Sequence, residues 1–344
     1  MKIIQVLDAL DYGDGVSNDV INKKNMLQKM HYETAIYSRW VHEKVLEHRK
    51  DISQMSTEAD DIIIHHFSGK STIVQDVLKQ KGTKIFFYHN ITPAEFWDNQ
   101  KDTLEGIEQV KTYGKQYNYL AGDSHFNIND LRKFGLTQQA DVLPVFINFK
   151  EAPKDNFSFE QSTTKFLFVG RVAPNKKHED IIRTFDYYYR NINSNSHLTF
   201  VGNYEAYPEY YKMLQQKIRE TACSSHIVFT GKTSDEALHQ YYKEASVFLC
   251  MSEHEGFCIP LLESMHHGIP TFACAAGAVE ETMGQAGILF YDKSPKLVAE
   301  LIHIVLSNRL LYQSIVEKQK KRLEYFSEKS LQLQFEALIQ KWRH

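Results

Sequence analysis

Short apolar runs alternate with longer stretches of helical spacing along the whole chain. Strands alternating with helices form parallel, doubly wound sheets, so the pattern predicts an α/β protein with two Rossmann-like domains in series. In the first half, the runs predict strands at Ile3–Leu10, Thr34–Ser38, Asp61–His65, Lys84–Tyr88, Tyr117–Ala121 and Asp141–Val145. In the second half, they predict strands at Lys165–Gly170, His197–Gly202, His226–Gly231, Val247–Met251, Pro270–Ala275 and Gly287–Phe290.

One polar segment without a hydrophobic period, residues 151–164, separates the two halves and indicates a linker. We therefore expect one domain over residues 1–150 and a second over 151–324. Residues 325–344 carry apolar side chains at helical spacing and are expected to pack back onto the first domain. Ligands bind at the carboxyl ends of strands in such folds, which predicts a cleft facing both sheets.

Composition narrows the possible functions. The 344 residues are 42% hydrophobic and 24% charged, which is typical of soluble globular proteins. The net charge of −3 argues against a nucleic-acid binder and favours small-molecule partners. The four cysteines lack metal-binding spacing and fit a reducing cytoplasm. No run approaches the roughly 18 apolar residues of a membrane span, which leaves only peripheral contact with the inner face of a membrane open.

The segment from Ser252 to Glu263 places Glu255 and Glu263 on either side of a turn that opens a helix. Pro260 suits the first helical position, and Gly268 marks the end, so we predict a helix from about Pro260 to His267. The N-terminus of that helix can bind an anion. One carboxylate could then hold a sugar hydroxyl and the other a ribose. An ordinary connection with two solvated glutamates remains the alternative.

Two cations follow the predicted strand that ends at Val169. Arg171 and Lys176 leave this strand on one loop, where a planar guanidinium and a compact ammonium together suit a diphosphate. Lys177 is the expected bystander. A solvated basic loop is the structural alternative.

The first half offers weaker candidates. The turn Gly13-Asp-Gly15 could let backbone N–H groups approach an anion, although an ordinary strand-to-helix turn explains it equally well. His89 follows the fourth predicted strand and could contact the sugar or the acceptor, or serve a structural role. Ser124 and His125 occupy the equivalent position after the next strand and could line the acceptor side.

Metal binding is not expected. The pairs His65-His66 and His266-His267 place neighbouring side chains on different faces, and no acidic spacing completes a site around them. Asp60-Asp61 precedes its strand and so lies at the wrong end of the sheet.

In combination, these segments resemble the retaining GT-B glycosyltransferases of family 4, the glycosyl transferases group 1 type. The resemblance rests on the Glu255 to Glu263 segment, on the loop from Gly170 to Lys176 and on Ala276 to Glu281, and it covers nearly the whole chain. Two positions depart from the family pattern: Lys177 replaces a glycine, and Gly13-Asp-Gly15 replaces an adjacent glycine pair.

The resemblance implies roles for named residues. Arg171 and Lys176 would hold the donor diphosphate, and Glu263 would bind the ribose. Glu255 would position the donor sugar together with the backbone of Gly256, Phe257 and Cys258. His89 would lie near the reacting carbon, and the role of Gly15 stays open.

A reaction also follows from the resemblance. A nucleoside-diphosphate sugar would donate a hexosyl or deoxyhexosyl group to a glycan, lipid-linked or protein-linked acceptor, with retained configuration and no metal or other cofactor. The acceptor hydroxyl would attack on the face from which the diphosphate leaves, in surface polysaccharide or glycoconjugate synthesis. The alternatives are a nucleotide-sugar epimerase of similar fold and a non-catalytic glycosyltransferase-like subunit.

Overall fold

The computed structural model describes residues 1–97, 100–149 and 163–343. The chain divides into two compact units: unit 1 comprises Met1–Asn148 and Tyr325–His344, and unit 2 comprises Phe149–Glu324. The predicted linker lies outside the described residues except for its last two positions, and Thr164 already begins a strand.

Unit 1 contains a seven-stranded parallel sheet in the order β3-β2-β1-β4-β5-β6-β7. The strands are β1 (Lys2–Leu10), β2 (Glu33–Val41), β3 (Arg49–Asp51), β4 (Ile62–Phe67), β5 (Thr83–Tyr88), β6 (Tyr119–Gly122) and β7 (Ala140–Val142). Its helices are α1 (Gly15–Lys29), α2 (Val74–Leu78), α3 (Lys101–Tyr113), α4 (His125–Lys133) and α12 (Glu328–Trp342). All six residues of β4 are buried, as expected for a central strand covered on both faces.

Helix α12 completes the core of unit 1. Leu331, Phe335, Ile339 and Trp342 recur along one face of this helix, and each is at most 1% exposed. They pack with Ile3 and other buried residues of the sheet in one hydrophobic cluster. At about 1.5–3 kcal/mol for each fully buried side chain, α12 contributes an upper limit of roughly 6–12 kcal/mol of burial free energy.

Unit 2 contains a six-stranded parallel sheet in the order β10-β9-β8-β11-β12-β13. The strands are β8 (Thr164–Val169), β9 (Ser196–Val201), β10 (Ile227–Phe229), β11 (Val247–Cys250), β12 (Thr271–Cys274) and β13 (Ile288–Phe290). The helices are α5 (His178–Asn191), α6 (Pro208–Arg219), α7 (Asp235–Glu244), α8 (Ile259–His266), α9 (Val279–Met283), α10 (Pro295–Ser307) and α11 (Arg309–Tyr325).

The predicted fold class of two parallel α/β domains is confirmed, and every predicted strand has a counterpart within a few residues. Sequence reasoning missed β3, a short polar strand that pairs only with β2 at the sheet edge. Helix α8 begins at Ile259, one residue earlier than predicted, so Pro260 occupies the second helical position. No helix in the described part of the chain has both the length and the apolar character that a membrane span requires.

Candidate functional site

The strand order of unit 2 reverses between β8 and β11, which are neighbours in the sheet. Loops that leave the carboxyl ends of two such strands form the usual ligand site of an open α/β sheet. Arg171 and Lys176 follow β8, whereas Glu255 follows β11. The topology therefore brings together two predicted segments that are far apart in sequence.

Lys176 and Glu255 form a direct ion pair. The Lys176 Nζ atom lies 2.7 Å from both carboxylate oxygens of Glu255, and the two side chains are only 19% and 8% exposed. Burial by itself would lower the pKa of Lys176, but the Glu255 carboxylate, together with Cys258 and Cys250, offsets that effect, so this pKa is raised. Lys176 thus carries a fixed positive charge at the carboxyl ends of β8 and β11.

Asn175 holds the two loops of this pair together, although sequence reasoning did not single it out. Its side-chain amide donates to the backbone oxygen of His254 at 3.1 Å. Its backbone oxygen accepts from the Glu253 N–H at 2.8 Å. The only signal in the sequence is a polar residue between Pro174 and Lys176, in a loop that the structure folds into a 3-10 turn with Asn175 buried.

Lys177 adopts a left-handed backbone conformation, with φ 52° and ψ 50°. This region favours glycine because a Cβ atom crowds the following carbonyl oxygen, which explains why the resembling family has glycine here. The Lys177 Nζ atom contacts Glu253 at 3.1 Å. Lys177 therefore belongs to a different ion pair from Lys176.

Helix α8 begins at an N-cap residue whose side chain does not cap it. Cys258 is the N-cap residue in a left-handed conformation, with φ 71° and ψ 67°, and its side chain makes no capping hydrogen bond to this helix end. The backbone of Gly256 to Cys258 leads directly into this end. Its N–H groups and helix dipole favour an anionic or partially negative ligand oxygen.

Gly277 fixes the backbone of Glu255 from the next loop. A Cβ atom at Gly277 would lie 2.4 Å from the Glu255 backbone oxygen, closer than side chains can approach. The same oxygen accepts from the Ala278 N–H at 2.8 Å. The loop from Ala276 thus supports Glu255, a role that the resemblance alone did not specify.

Glu263 is held by Tyr242 of α7. The Tyr242 hydroxyl donates to Glu263 Oε2 at 2.6 Å, and Tyr242 is 1% exposed. Burial raises the pKa of Glu263, an effect that the hydrogen bond from Tyr242 opposes. Burial and the nearby carboxylate raise the pKa of Tyr242 well above its ordinary value, so the hydroxyl remains a donor.

Arg171 differs from these residues because its side chain is exposed. No carboxylate within the described ranges pairs with its guanidinium, whereas Lys176 and Glu263 both have internal partners. Arg171 is therefore the cation of this set that is open to an external anion.

The His89 side chain lies in a buried network in unit 1. His89 Nδ1 lies 2.8 Å from Asp123 Oδ2, and the two side chains are 2% and 4% exposed. His89 Nε2 lies 2.8 Å from His66 Nδ1. Both ring nitrogens therefore have internal partners, which the expectation of a sugar contact did not foresee.

A second buried pair lies beside this network. Lys23 and Asp19 are both fully buried and form an ion pair across one turn of α1. Asp19 Oδ1 also accepts from the Phe146 N–H at 2.7 Å. Sequence reasoning missed this pair. The usable signal was that Asp19 and Lys23 are spaced to lie on the same helix face as the apolar residues Val20 and Leu27.

The glycine turn after β1 is organised differently from the expected anion loop. Gly13 has the positive φ, 72°, whereas Gly15 begins α1 behind the N-cap residue Asp14. Asp8, Asp14, His66 and Lys70 are among the residues that line a cavity of about 240 Å³ at this edge.

Ser124 has a structural contact at the corresponding position after β6. It is the N-cap residue of α4, and its side-chain oxygen accepts from the Asn127 N–H at 3.2 Å.

Among the residues that the structure describes, two groups of side chains have the spacing of metal ligands. The ligand atoms of Asp19, His66 and His89 lie within 4.8 Å of one another, as do those of Cys250, Glu255 and Cys258. The expectation that nothing completes a cluster around His66 was therefore wrong, because its neighbours come from α1 and from the loop after β5. In each group, however, the carboxylate is already paired with a lysine.

Comparison with known proteins identifies the family. Residues 149–322, half of the chain, match the model of the glycosyl transferases group 1 family. The chain belongs to this family. The prediction made from the three segments is therefore confirmed, and the matched range contains all three.

Curated relatives of this group 1 chain include several mannosyltransferases. The GDP-Man:Man(3)GlcNAc(2)-PP-Dol alpha-1,2-mannosyltransferase of Dictyostelium discoideum is 27% identical over 77% of this chain and 56% of its own. The serotype-specific mannosyltransferase WbdA of Escherichia coli is 22% identical over 67% of this chain and 27% of its own. The chain thus spans little more than half the length of the first relative and about a quarter of the length of the second.

Solved structures agree in fold over nearly the full length. Anabaena Alr3699/HepE, solved in complex with UDP and glucose, has a TM-score of 0.80 at 13% identity and covers 99% of this chain and 100% of its own. Sucrose-phosphate synthase from Thermosynechococcus elongatus has a TM-score of 0.77 at 15% identity and covers 99% of each chain. The GT-B fold class is confirmed.

Proposed function

We propose that this group 1 glycosyltransferase transfers a hexosyl or deoxyhexosyl group from a nucleoside-diphosphate sugar to an acceptor hydroxyl, with retention of anomeric configuration and without a metal. Unit 2 binds the donor, and unit 1 binds the acceptor. The acceptor is a glycan or a lipid-linked or protein-linked glycoconjugate in surface polysaccharide synthesis, with the enzyme cytoplasmic or peripheral at the inner membrane face.

The contact between Lys176 and Glu255 carries this proposal. A donor diphosphate placed beside Lys176 meets a protonated ammonium, and the exposed Arg171 guanidinium on the same loop supplies a second charge. The start of α8, where the N-cap side chain makes no capping hydrogen bond, adds backbone N–H groups. Together these groups stabilise negative charge on the leaving diphosphate, which a metal would otherwise neutralise.

Glu255 and Glu263 act as ligands in this proposal and not as an acid and base pair. Glu255 is bound to Lys176 through both oxygens, and Glu263 accepts from Tyr242. A paired carboxylate holds sugar or ribose hydroxyls while its own position is fixed. The acceptor hydroxyl then attacks on the face from which the diphosphate leaves, and the leaving oxygen takes its proton.

A donor screen tests the proposal. The full chain is incubated with single nucleoside-diphosphate sugars, and binding is measured by thermal shift, because a ligand that binds only the folded state raises its stability by an amount that grows with the logarithm of the affinity. We expect one donor to stabilise the wild type and to be bound more weakly by Arg171→Ala, in EDTA as well as in magnesium. Failure of every donor to bind would contradict the proposal.

The bound donor then separates the alternatives. With an acceptor, we expect the product to keep the donor's anomeric configuration, measured by proton NMR. Epimerised nucleotide sugar without acceptor would indicate the epimerase, and donor binding without turnover on any acceptor would indicate the non-catalytic subunit.

A further inference from the structure

Two cysteines lie beside Glu255 in unit 2. Cys250 is the last residue of β11, and Cys258 is the N-cap residue of α8. Both are thiols outside any disulfide, and their sulfur atoms and a Glu255 carboxylate oxygen lie within 4.8 Å of one another. The strand end and the helix start thus bring three metal-ligating side chains together, and the proposed donor chemistry leaves the two thiols without a role.

The separation of these three ligand atoms fits a single tetrahedral ion. Zinc binds thiolate sulfur at about 2.3 Å and carboxylate oxygen at about 2.0–2.2 Å, so neighbouring ligand atoms lie about 3.5–3.8 Å apart. A contraction of at most about 1 Å brings the group to these separations. Thiophilic ions such as Zn²⁺ and Cd²⁺ suit two sulfur ligands and one oxygen, whereas Mg²⁺ prefers oxygen ligands alone.

The backbone at Cys258 gives its thiol further weight. Its φ of 71° lies in the left-handed region, where a Cβ atom is strained and glycine is not. Strained residues of this kind are concentrated at functional sites. The chain therefore carries a thiol at a position whose backbone favours glycine.

Lys176 balances the charge of an ion bound here. Both oxygens of Glu255 accept from Lys176 at 2.7 Å, and a carboxylate offers about four lone-pair sites. One oxygen can therefore turn to an ion while the other stays with the ammonium. The positive charges of a divalent ion and Lys176 then equal the negative charges of Glu255 and two thiolates.

The surroundings of the thiols also suit an ion. The Ser252 hydroxyl lies 3.3 Å from Cys250 Sγ, where it can donate to a thiolate, and such hydrogen bonds orient metal ligands. The side chain of Lys176 is 19% exposed, so the group is open to solvent on that side. The fourth position of the tetrahedron remains for water.

We propose that Cys250, Cys258 and Glu255 form an inhibitory site for a thiophilic divalent cation, Zn²⁺ in the cell. Binding replaces two S–H bonds with two metal–sulfur bonds and releases two protons to solvent, without oxidation or reduction. The transfer reaction itself uses no metal. Because Glu255 and the backbone at Cys258 are assigned to the donor sugar, ion and donor exclude each other; this consequence rests on the proposed function, whereas ion binding does not.

Cadmium titration of the full-length protein, kept reduced with a phosphine, tests the site without any donor. We expect one equivalent of Cd²⁺ to produce the ultraviolet absorption of cadmium–thiolate bonds, and Zn²⁺ to displace it. Cys250→Ser and Cys258→Gly should each weaken binding by about 100-fold or more, because loss of an outer hydrogen-bond partner alone costs about 10- to 100-fold.

The controls separate ligand loss from misfolding. Glycine suits the left-handed backbone at position 258, so Cys258→Gly should fold, which circular dichroism checks. Cys223→Ser removes another buried thiol, which contacts Thr221 and Asp186, and should bind cadmium as the wild type does. Absence of thiolate absorption in the wild type, or equal absorption in folded Cys250→Ser and Cys258→Gly, would overturn the site.

Donor binding tests the inhibition. In calorimetry with the sugar nucleotide selected by the donor screen, Zn²⁺ at about ten times its dissociation constant should weaken donor affinity by about 10-fold, as for two ligands that exclude each other. Cys250→Ser should show no such effect, which also controls for zinc bound by the diphosphate in solution. Equal donor affinity with and without Zn²⁺ would overturn the inhibition. A chain that binds cadmium but no donor would contradict the proposed function and the inhibition, whereas the cation site would stand.

Discussion

Each unit contains a lysine paired with a carboxylate, and the two pairs differ in their surroundings. In unit 1, Lys23 and Asp19 are completely buried, and Lys23 also lies over the Phe87 ring at 4.6 Å. In unit 2, Lys176 is 19% exposed, and the open guanidinium of Arg171 is on the same loop. A completely buried ion pair can only support the fold, whereas a partly exposed ion pair can also interact with the charge of a ligand.

Lys176→Met is expected to give the largest effect on function. Loss of a preorganised charge opposite the leaving diphosphate should lower transfer by about 10²- to 10³-fold or more, as loss of one oxyanion donor does, measured as initial rate at saturating donor. Lys177→Met, in the neighbouring ion pair, is the matched control and should retain turnover. Equal loss in both variants would show that the loop's fold, and not the Lys176 charge, is required.

Adding Glu255→Gln to Lys176→Met sharpens this test. The single variant leaves a buried carboxylate unpaired and loses stability, whereas the double variant removes both charges and should recover much of that stability. Transfer should remain low. Recovery of transfer together with stability would contradict a direct role for Lys176.

Lys23→Met should act on stability. An uncompensated buried Asp19 is expected to lower the free energy of unfolding by about 3–5 kcal/mol, measured by urea denaturation. Lys29→Met is the control, because the exposed Lys29 and Glu328 pair is worth at most about 1 kcal/mol. If both variants were equally stable, the prediction that the buried pair contributes more to stability than the exposed pair would be wrong.

His178 predicts an acid sensitivity of unit 2. Burial and, to a smaller extent, Lys176 lower the pKa of His178 to about 3, so between that value and about 6.5 the unfolded chain binds the proton and the folded chain does not. The contribution of His178 is complete above pH 6.5 and is lost by about 1.4 kcal/mol for each pH unit below it.

His178→Phe should remove this loss, because the ring packs between Phe168 and Phe200 and neither of its nitrogens has a hydrogen-bond partner among the described residues. The variant's advantage in urea denaturation should grow from pH 7 to pH 5. A stability advantage of the same size at pH 7 and at pH 5 would contradict this prediction. His303→Gln is the control for the loss of an exposed histidine.

Tyr242→Phe tests the carboxylate assigned to the ribose. Without the hydroxyl, Glu263 loses its fixed orientation, and we expect about 10-fold weaker nucleoside-diphosphate binding by calorimetry. The wild type should prefer the ribose form over the 2′,3′-dideoxy form, and the variant should lose much of that preference. An unchanged preference would assign Tyr242 to packing alone.

Lys177→Gly should give the smallest effect. Relief of the left-handed strain contributes about 1–2 kcal/mol, and the greater freedom of glycine in the unfolded chain costs about 0.5–1 kcal/mol. A net gain of about 0.5–1 kcal/mol is expected, measured by urea denaturation. Lys177→Ala is the control, since it removes the same ion pair but keeps the strain.

The fold was predictable because apolar runs such as Ile62–Phe67 mark buried parallel strands locally. The short strand Arg49–Asp51 was not, since its polar residues carry no hydrophobic period. Lys176 and Glu255 could each be selected from their motifs, but their contact depends on β8 and β11 being neighbours. Only the strand order contains that information.

Buried polar partners were the hardest to predict. Tyr242 is an unremarkable residue on α7, and only the folded chain brings it to Glu263. His89 was selected for its place at a strand end, yet its hydrogen-bond partners His66 and Asp123 come from β4 and from the loop after β6. Such a chain of partners has no local spacing in the sequence.

The position of α12 also affects the order of folding during synthesis. Residues that complete the hydrophobic core of unit 1, including Trp342, are translated after all of unit 2. Until α12 has been synthesised, the sheet of unit 1 exposes the apolar surface that this helix later covers. Conditions that slow synthesis of α12 should therefore increase the demand for chaperones on unit 1 first.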